Sequence, residues 1–223
     1  PQFFCQYYLR HYFSHPKTGE ATRLAPFQLE ILGDAEVETL LAVAAPRGHG
    51  KTTLLSFALT LRDILLGRSR FTIYIGPTAT AGEERISDLI MELRENERIL
   101  EDFGDLLDDG RGEEMPSQKK RQVRMRSDDL VLSNGARVMS RGCGQSLRGA
   151  KDRERRPDRV ILDDVDKDAE AANPKRVEQR LRWFRRVVLP LKGAGSMKVL
   201  VVGNIIARRT LLTECLAMKG FVG

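Results

Sequence analysis

One stretch constrains this chain more than any other: Leu41 to Thr53, L-A-V-A-A-P-R-G-H-G-K-T-T. An apolar run stops at Pro46 and a turn containing Gly48 and Gly50 follows. Lys51-Thr52-Thr53 then opens a segment with apolar residues at helical spacing, Leu54, Phe57, Ala58, Leu61 and Leu65. The pattern predicts a strand, a phosphate-binding loop and a helix. Glycines let successive backbone N–H groups turn inward without a Cβ in the way, and the helix N-terminus adds partial positive charge, so a polyphosphate fits the concavity. Pro46, Arg47, Gly48, His49, Gly50, Lys51, Thr52 and Thr53 would line that cradle, with Lys51 reaching the β- and γ-phosphates of ATP and the Thr52 hydroxyl ligating Mg²⁺. The usual pattern begins with Gly, where this chain has Ala45.

Such a loop needs acids, and Arg159 to Asp164, R-V-I-L-D-D, supplies them. Three consecutive apolar residues describe a strand buried on both faces, and carboxylates at its C-terminal end stand where open parallel sheets place their ligands. Asp163 is expected to hold Mg²⁺ through its water shell and Asp164 to orient or deprotonate the attacking water, whereas the structural alternative is a pair of acids that caps the next helix. Met197 to Val202 is a second buried strand, closed by Gly203-Asn204; Asn204 either senses the γ-phosphate or simply forms the turn.

The rest of the chain frames these motifs. Residues 1 to 20 carry Phe3, Phe4, Tyr7, Tyr8, Tyr12 and Phe13 at spacing compatible with a short helix packed on the core. Ala25 to Leu32 reads as a helix begun by Pro26, with Phe27, Ile31 and Leu32 inward; the Gln28 amide either reads an adenine edge or is solvated. Phe71 to Gly76 is a strand, and Thr80 to Leu100 an amphipathic helix with Glu83, Glu84, Glu92 and Glu95 on a solvated outer face. Residues 102 to 122 read as a surface loop, and Ser133-Asn134-Gly135 as the turn of a hairpin between Leu130–Leu132 and Ala136–Ser140. Arg141 and Arg148 flank the glycine-rich loop Gly142 to Gly149 and are candidates for touching a phosphate. From Pro174 to about Pro190 runs a helix with Val177, Leu181, Phe184 and Val188 inward and Arg176, Arg180, Arg182, Arg185 and Arg186 around them, a surface able to follow a duplex backbone.

Charge fits an anionic partner without demanding one: the net charge is +6 and the isoelectric point near 9.4. Cys5, Cys143 and Cys215 are odd in number and far apart, which argues against a disulfide framework or a zinc site, and no run is apolar enough for a membrane span.

Taken in order and spacing, Gln28, A-P-R-G-H-G-K-T-T, G-Q-S-L-R-G, V-I-L-D-D and V-V-G-N resemble the ATPase domain of phage terminase large subunits, over about residues 24 to 215. The resemblance implies an α/β P-loop NTPase of the additional-strand type, with a largely parallel central sheet, flanking helices and a β-hairpin appendage. It implies a single ATPase domain over 1–223, with a helical segment over about 1–33 and the core over about 34–223, and no C-terminal nuclease domain in this chain. It further implies a motor that hydrolyses ATP with Mg²⁺ to move double-stranded DNA into a procapsid. The implied partners are a portal protein, a small terminase subunit and copies of itself in a ring, and the implied location is the host cytoplasm at the procapsid portal. Arg47 matches the family's phosphate-loop arginine, Asn204 its coupling motif, and Arg148, then Arg141, its trans-acting arginine. The family's second acid is usually Glu, whereas this chain has Asp164, so either the water sits closer or Asp166 contributes. The alternatives from sequence are a helicase-type or loader ATPase and a nucleotide-binding scaffold with little hydrolysis.

Overall fold

The structure is a computed structural model that describes residues 1–15, 17–108, 122–147, 150–152, 155–192 and 195–223. Among the described residues seven strands form one sheet: β1 (Leu40–Ala44), β2 (Phe71–Gly76), β3 (Arg124–Arg126), β4 (Asp129–Val131), β5 (Arg137–Gly142), β6 (Arg159–Asp163) and β7 (Lys198–Gly203). Their spatial order is β1-β7-β6-β2-β5-β4-β3, with β1, β7, β6, β2 and β5 mutually parallel and β4 and β3 added antiparallel at one edge. The parallel strands are rich in Val, Ile and Leu because helices cover both of their faces, so neither set of alternating side chains meets water. β6 is buried at every position.

Two apolar layers follow from that alternation. On one face, Val43, Tyr74, Val138, Ile161 and Val202 pack with the N-terminal segment and with helices α2 (Pro26–Val37), α3 (Leu59–Leu65), α4 (Ala79–Glu95) and α5 (Glu97–Phe103). On the other face, Ile73, Ile75, Val160, Leu162 and Val201 pack with α7 (Pro174–Trp183), its continuation Phe184–Val188, and α8 (Leu211–Leu216). Val177, Leu181, Phe184 and Val188 are all buried as their spacing predicts, each contributing about 1.5–3 kcal/mol of apolar burial. Among the described residues no helix is long and apolar enough to cross a membrane.

Several local expectations change. The N-terminal segment is split into α1 (Gln2–Tyr7) and a 3-10 turn, Arg10–Phe13, and Phe27 faces outward at 37% exposure instead of joining Leu32 in the core. The helix expected over residues 80–100 breaks at Asn96, whose side chain accepts from Ile99 N and so competes with the continuing backbone ladder. Glu92, expected on the solvated face, is 6% exposed and accepts hydrogen bonds from Asn96 and His11. The hairpin extends the sheet on one side, with β5 paired in parallel with β2 along its whole length and β4 and β3 added beyond it. Most of the surface loop expected over 102–122 lies outside the described residues. The segment after α2 and β1 winds as a π-helix over Thr52–Ala58 before continuing as α3, a wider turn of a kind that often accompanies functional sites.

The end of the sheet away from the glycine loop holds a buried charge network. The Asp63 carboxylate accepts from Arg62 Nε at 2.7 Å and, on its other oxygen, from Arg159, while Arg62 also reaches Glu36. Arg62 and Asp63 side chains are only 4% and 3% exposed. Replacing Asp63 with Ala leaves two buried guanidinium groups short of their counterion, so Asp63→Ala is expected to lower the unfolding free energy by about 3–5 kcal/mol in urea titrations. A loss of under about 1 kcal/mol, the scale of an exposed pair, would contradict the buried network.

Candidate active site

The site is built where β1, β7 and β6 end side by side. β1 gives way to Ala45, whose N–H donates to Gly203 O at 3.2 Å, so the glycine loop leaves the sheet still tied to the strand beside it. Gly48 and Gly50 then adopt φ of 81° and 71°, left-handed values that let the loop turn back toward the helix at no Cβ cost. Ala45 is under no such demand. Among the described residues only Asp164 is a non-glycine with positive φ, so an alanine at the loop's first position carries no backbone strain and buries its methyl at 8% exposure.

Gln28 steadies this loop. Its Oε1 accepts from Ala25 N at 2.9 Å and its Nε2 donates to His49 O at 3.0 Å, so the partly buried amide ties the start of α2 to the loop. Phe27 lies beside it with its ring centroid 5.8 Å from that of His49. Pro46, Arg47, Gly48 and His49 are exposed along the loop, Gly50, Thr52 and Thr53 are partly covered, and Lys51 is buried at 6% exposure.

Two linked clusters of side chains occupy the mouth. In the first, Thr52 Oγ1 donates to Asp163 Oδ1 at 3.0 Å and the Tyr74 hydroxyl donates to Asp163 Oδ2 at 3.1 Å. In the second, Lys51 Nζ donates to Asn204 Oδ1 at 3.1 Å, Asn204 Nδ2 donates to Asp164 Oδ1 at 3.2 Å, and Lys51 Nζ stands 3.8 Å from Asp164 Oδ2. Asp164 reaches that position from a left-handed backbone with φ 46°, a region Asp tolerates better than most residues, and its carboxylate passes over Gly203. A Cβ at Gly203 would lie 3.5 Å from Asp164 Oδ1.

Burial pushes the Asp163 carboxyl above its usual range; the Ser56 and Thr52 hydroxyls oppose the shift, and the Asp164 charge adds to it. Tyr74 is raised well above the usual phenol range by burial first and by the Asp163 charge second, so its hydroxyl stays a donor. The donor set fits a hard cation: one hydroxyl and one carboxylate are what Mg²⁺ takes from a protein when phosphate oxygens and waters complete its shell. Among the described residues no group of three or more His, Cys, Asp or Glu could hold a metal alone, so such an ion would depend on the nucleotide for ligands.

The other sequence candidates fall in different places. Arg47 lies at the mouth, its guanidinium 3.7 Å from Asp168, with both side chains exposed. Asp166, considered as a substitute acid, is committed elsewhere: it accepts from Leu211 N and Leu212 N, capping α8, and from Arg180. Arg180 is thereby removed from the basic surface, its side chain 10% exposed between Asp166 and Glu170. Arg141 does not join the site of its own chain. It sits at the end of β5, paired with Asp128 at 2.7 Å, with β6 and β2 between it and the strands that hold the loop. Arg148 lies outside the described residues.

A cavity of about 230 Å³ opens among Arg47, Asp164, Gly203 and Asn204. A larger one, about 720 Å³, lies at Tyr7, His11, Tyr12 and Met91 and contains none of the predicted site residues. Sequence reasoning missed Tyr74. The readable signal was a phenol in the strand run F-T-I-Y-I-G, because a buried phenol needs a hydrogen-bond partner.

No protein-family model matches this chain, and no curated protein matches it in sequence. In three dimensions it is similar to the crystal structure of the HK97 bacteriophage large terminase, with a TM-score of 0.51 and 16% sequence identity. The match covers 95% of this chain and 39% of that one. At that identity the likeness shows the fold: a mixed α/β architecture with a mostly parallel sheet flanked by helices.

The state of Asp163 has a measurable consequence for stability. With its carboxyl raised in the folded protein, the native state keeps a proton that the unfolded chain gives up near pH 4, so stability falls as pH rises from there through the folded value. Asparagine cannot ionise. In EDTA and without nucleotide, Asp163→Asn is therefore expected to melt above the wild type at neutral pH, with the difference closing below about pH 4. Equal melting temperatures at pH 7.5 would contradict the raised carboxyl.

Proposed function

We propose that this chain is the ATP-hydrolysing domain of a motor that packages double-stranded DNA into a phage procapsid. The observation that carries the reading is the hydrogen bond between Thr52 and Asp163, 3.0 Å long between residues 111 positions apart, formed beside the Lys51, Asn204 and Asp164 cluster. Glycine loops are common, but a threonine bonded to one strand-end acid, beside a loop lysine linked through Asn204 to the other, makes the parts list of a phosphoryl-transfer site. The strand order supports the same reading, since β7 lies between the loop strand β1 and the acid strand β6, as in P-loop ATPases of the additional-strand type. The fold likeness to a large terminase is consistent with it.

In this reading Lys51 neutralises charge on the β- and γ-phosphates, with Arg47 a second cation at the mouth. Thr52 and Asp163 would hold Mg²⁺, which when bound supplies charge neutralisation at the phosphate oxygens. Asp164 orients the attacking water in line with the leaving oxygen and accepts its proton. Asn204 contacts both Lys51 and Asp164, so a change at the γ-phosphate is felt by the strand end that carries it. Ala45 gives no reason to expect a dead scaffold, because its backbone needs no glycine.

Around the site we place double-stranded DNA along the exposed Lys175, Arg176, Arg182, Arg185 and Arg186. A ring of copies would assemble on the portal in the cytoplasm of the infected host, with a portal protein and a small terminase subunit as partners. Arg148 or Arg141 of the neighbouring copy would complete the charge at each site.

Phosphate release tests the chemistry. Asp164→Ala and Lys51→Ala are each expected to lower Mg²⁺-dependent, duplex-stimulated ATPase activity by at least about 100-fold. Variant rates equal to the wild type would overturn the reading, and strand unwinding by the wild type would favour the helicase alternative. Turnover per chain is further expected to rise with protein concentration, and to lose that rise in Arg148→Ala or Arg141→Ala. Full, concentration-independent turnover unaffected by both changes would exclude the trans arginine.

A further inference from the structure

β2 contains one side chain whose chemistry exceeds what burial asks of it. Tyr74 is 4% exposed, in a strand buried at every position, where Phe or Leu would fill the same space. Register explains where its hydroxyl goes. Tyr74 pairs with Ile161 of the neighbouring strand, and Asp163 lies two residues further along, on the same face of the sheet. That diagonal spacing is within reach of a long side chain, and the phenol spans it to meet Asp163 Oδ2 at 3.1 Å. Arg85 of α4 lies with its guanidinium carbon 6.0 Å from the Tyr74 ring centroid, lining that ring.

We propose that Tyr74 is a positioning residue for the metal-holding carboxylate. An aspartate turns about its last torsion in a broad, two-fold well, so one hydrogen bond leaves its plane poorly defined. Here two donors from different elements take one oxygen each: Thr52, from the turn after the loop, takes Oδ1, and Tyr74, from β2, takes Oδ2. Tyr74 thus keeps Oδ1 directed at Thr52, where a cation shared with the nucleotide would be met. Hydrogen bonds to ligating carboxylates act in this way in metal sites generally, and their loss typically costs 10- to 100-fold in metal affinity. The inference rests on the reading of Thr52 and Asp163 as the Mg²⁺ holders.

Calorimetric titration of ADP into the protein, in EDTA and at a series of Mg²⁺ concentrations, separates the two ideas. For the wild type, Mg²⁺ is expected to tighten ADP binding. Tyr74→Phe is expected to bind ADP in EDTA as the wild type does, but to need about 10- to 100-fold more Mg²⁺ for half of that tightening. Tyr74→Met, which also lacks the hydroxyl, provides the same comparison should Tyr74→Phe fold poorly. A wild type whose ADP binding ignores Mg²⁺ would sink the reading of the site itself. A normal Mg²⁺ requirement in Tyr74→Phe, or an equal loss of affinity with and without Mg²⁺, would overturn the role of Tyr74 alone.

Discussion

The parallel register of β1, β7 and β6 is the constraint on which the rest depends. Ala44 lies opposite Gly203, and Val202 opposite Asp163, so three chain segments distant in sequence stop at one level. Parallel strands need long crossovers, and most of those here carry helices that cover the two faces of the sheet. Every parallel strand therefore runs the same way, and all of their C-terminal ends open on one edge. The glycine loop, the acid pair and Asn204 meet there as a result of strand direction, before any side chain has chosen a partner.

Side-chain choices then turn that edge into a charged site with an incomplete balance. Lys51 is buried, yet its ammonium is shared between Asn204 and Asp164. Asp163 is buried among hydroxyl donors and held toward its neutral form. In the function proposed above, a ligand that brings both negative phosphates and a cation would complete that balance. Asp164, with its left-handed backbone, holds its carboxylate close to Gly203 at the same strand ends.

The opposite edge solves the contrary problem. Arg62, Asp63 and Arg159 form a buried ionic network with Glu36 at the N-terminal ends of the strands. Nearby, Asp158 accepts from Ser69 Oγ at 2.5 Å and from the N–H groups of Arg70 and Phe71 at 2.6 and 3.1 Å, closing the start of β2. The carboxylates at this edge are paired within the chain, although Arg62 and Arg159 each keep one buried guanidinium nitrogen with no hydrogen-bond partner among the described residues.

The sequence by itself determined the elements and most of the residues at the site's mouth. Continuous apolar runs, V-I-L and V-L-V-V, can only be strands covered on both sides, and Gly48 and Gly50 mark a turn that other residues adopt poorly. The helical spacing of Val177, Leu181, Phe184 and Val188 was readable for the same reason: one buried face imposes one period. Tertiary structure alone decided which polar side chains meet. Tyr74 at Asp163, Gln28 at His49, Asp166 at the N-terminus of α8 and Glu92 beneath His11 pair residues far apart in sequence, and no local period records a partner. It also decided that Arg180 is bound while Arg141 lies away from the loop that follows β1, because strand order, not sequence distance, sets which charges are neighbours.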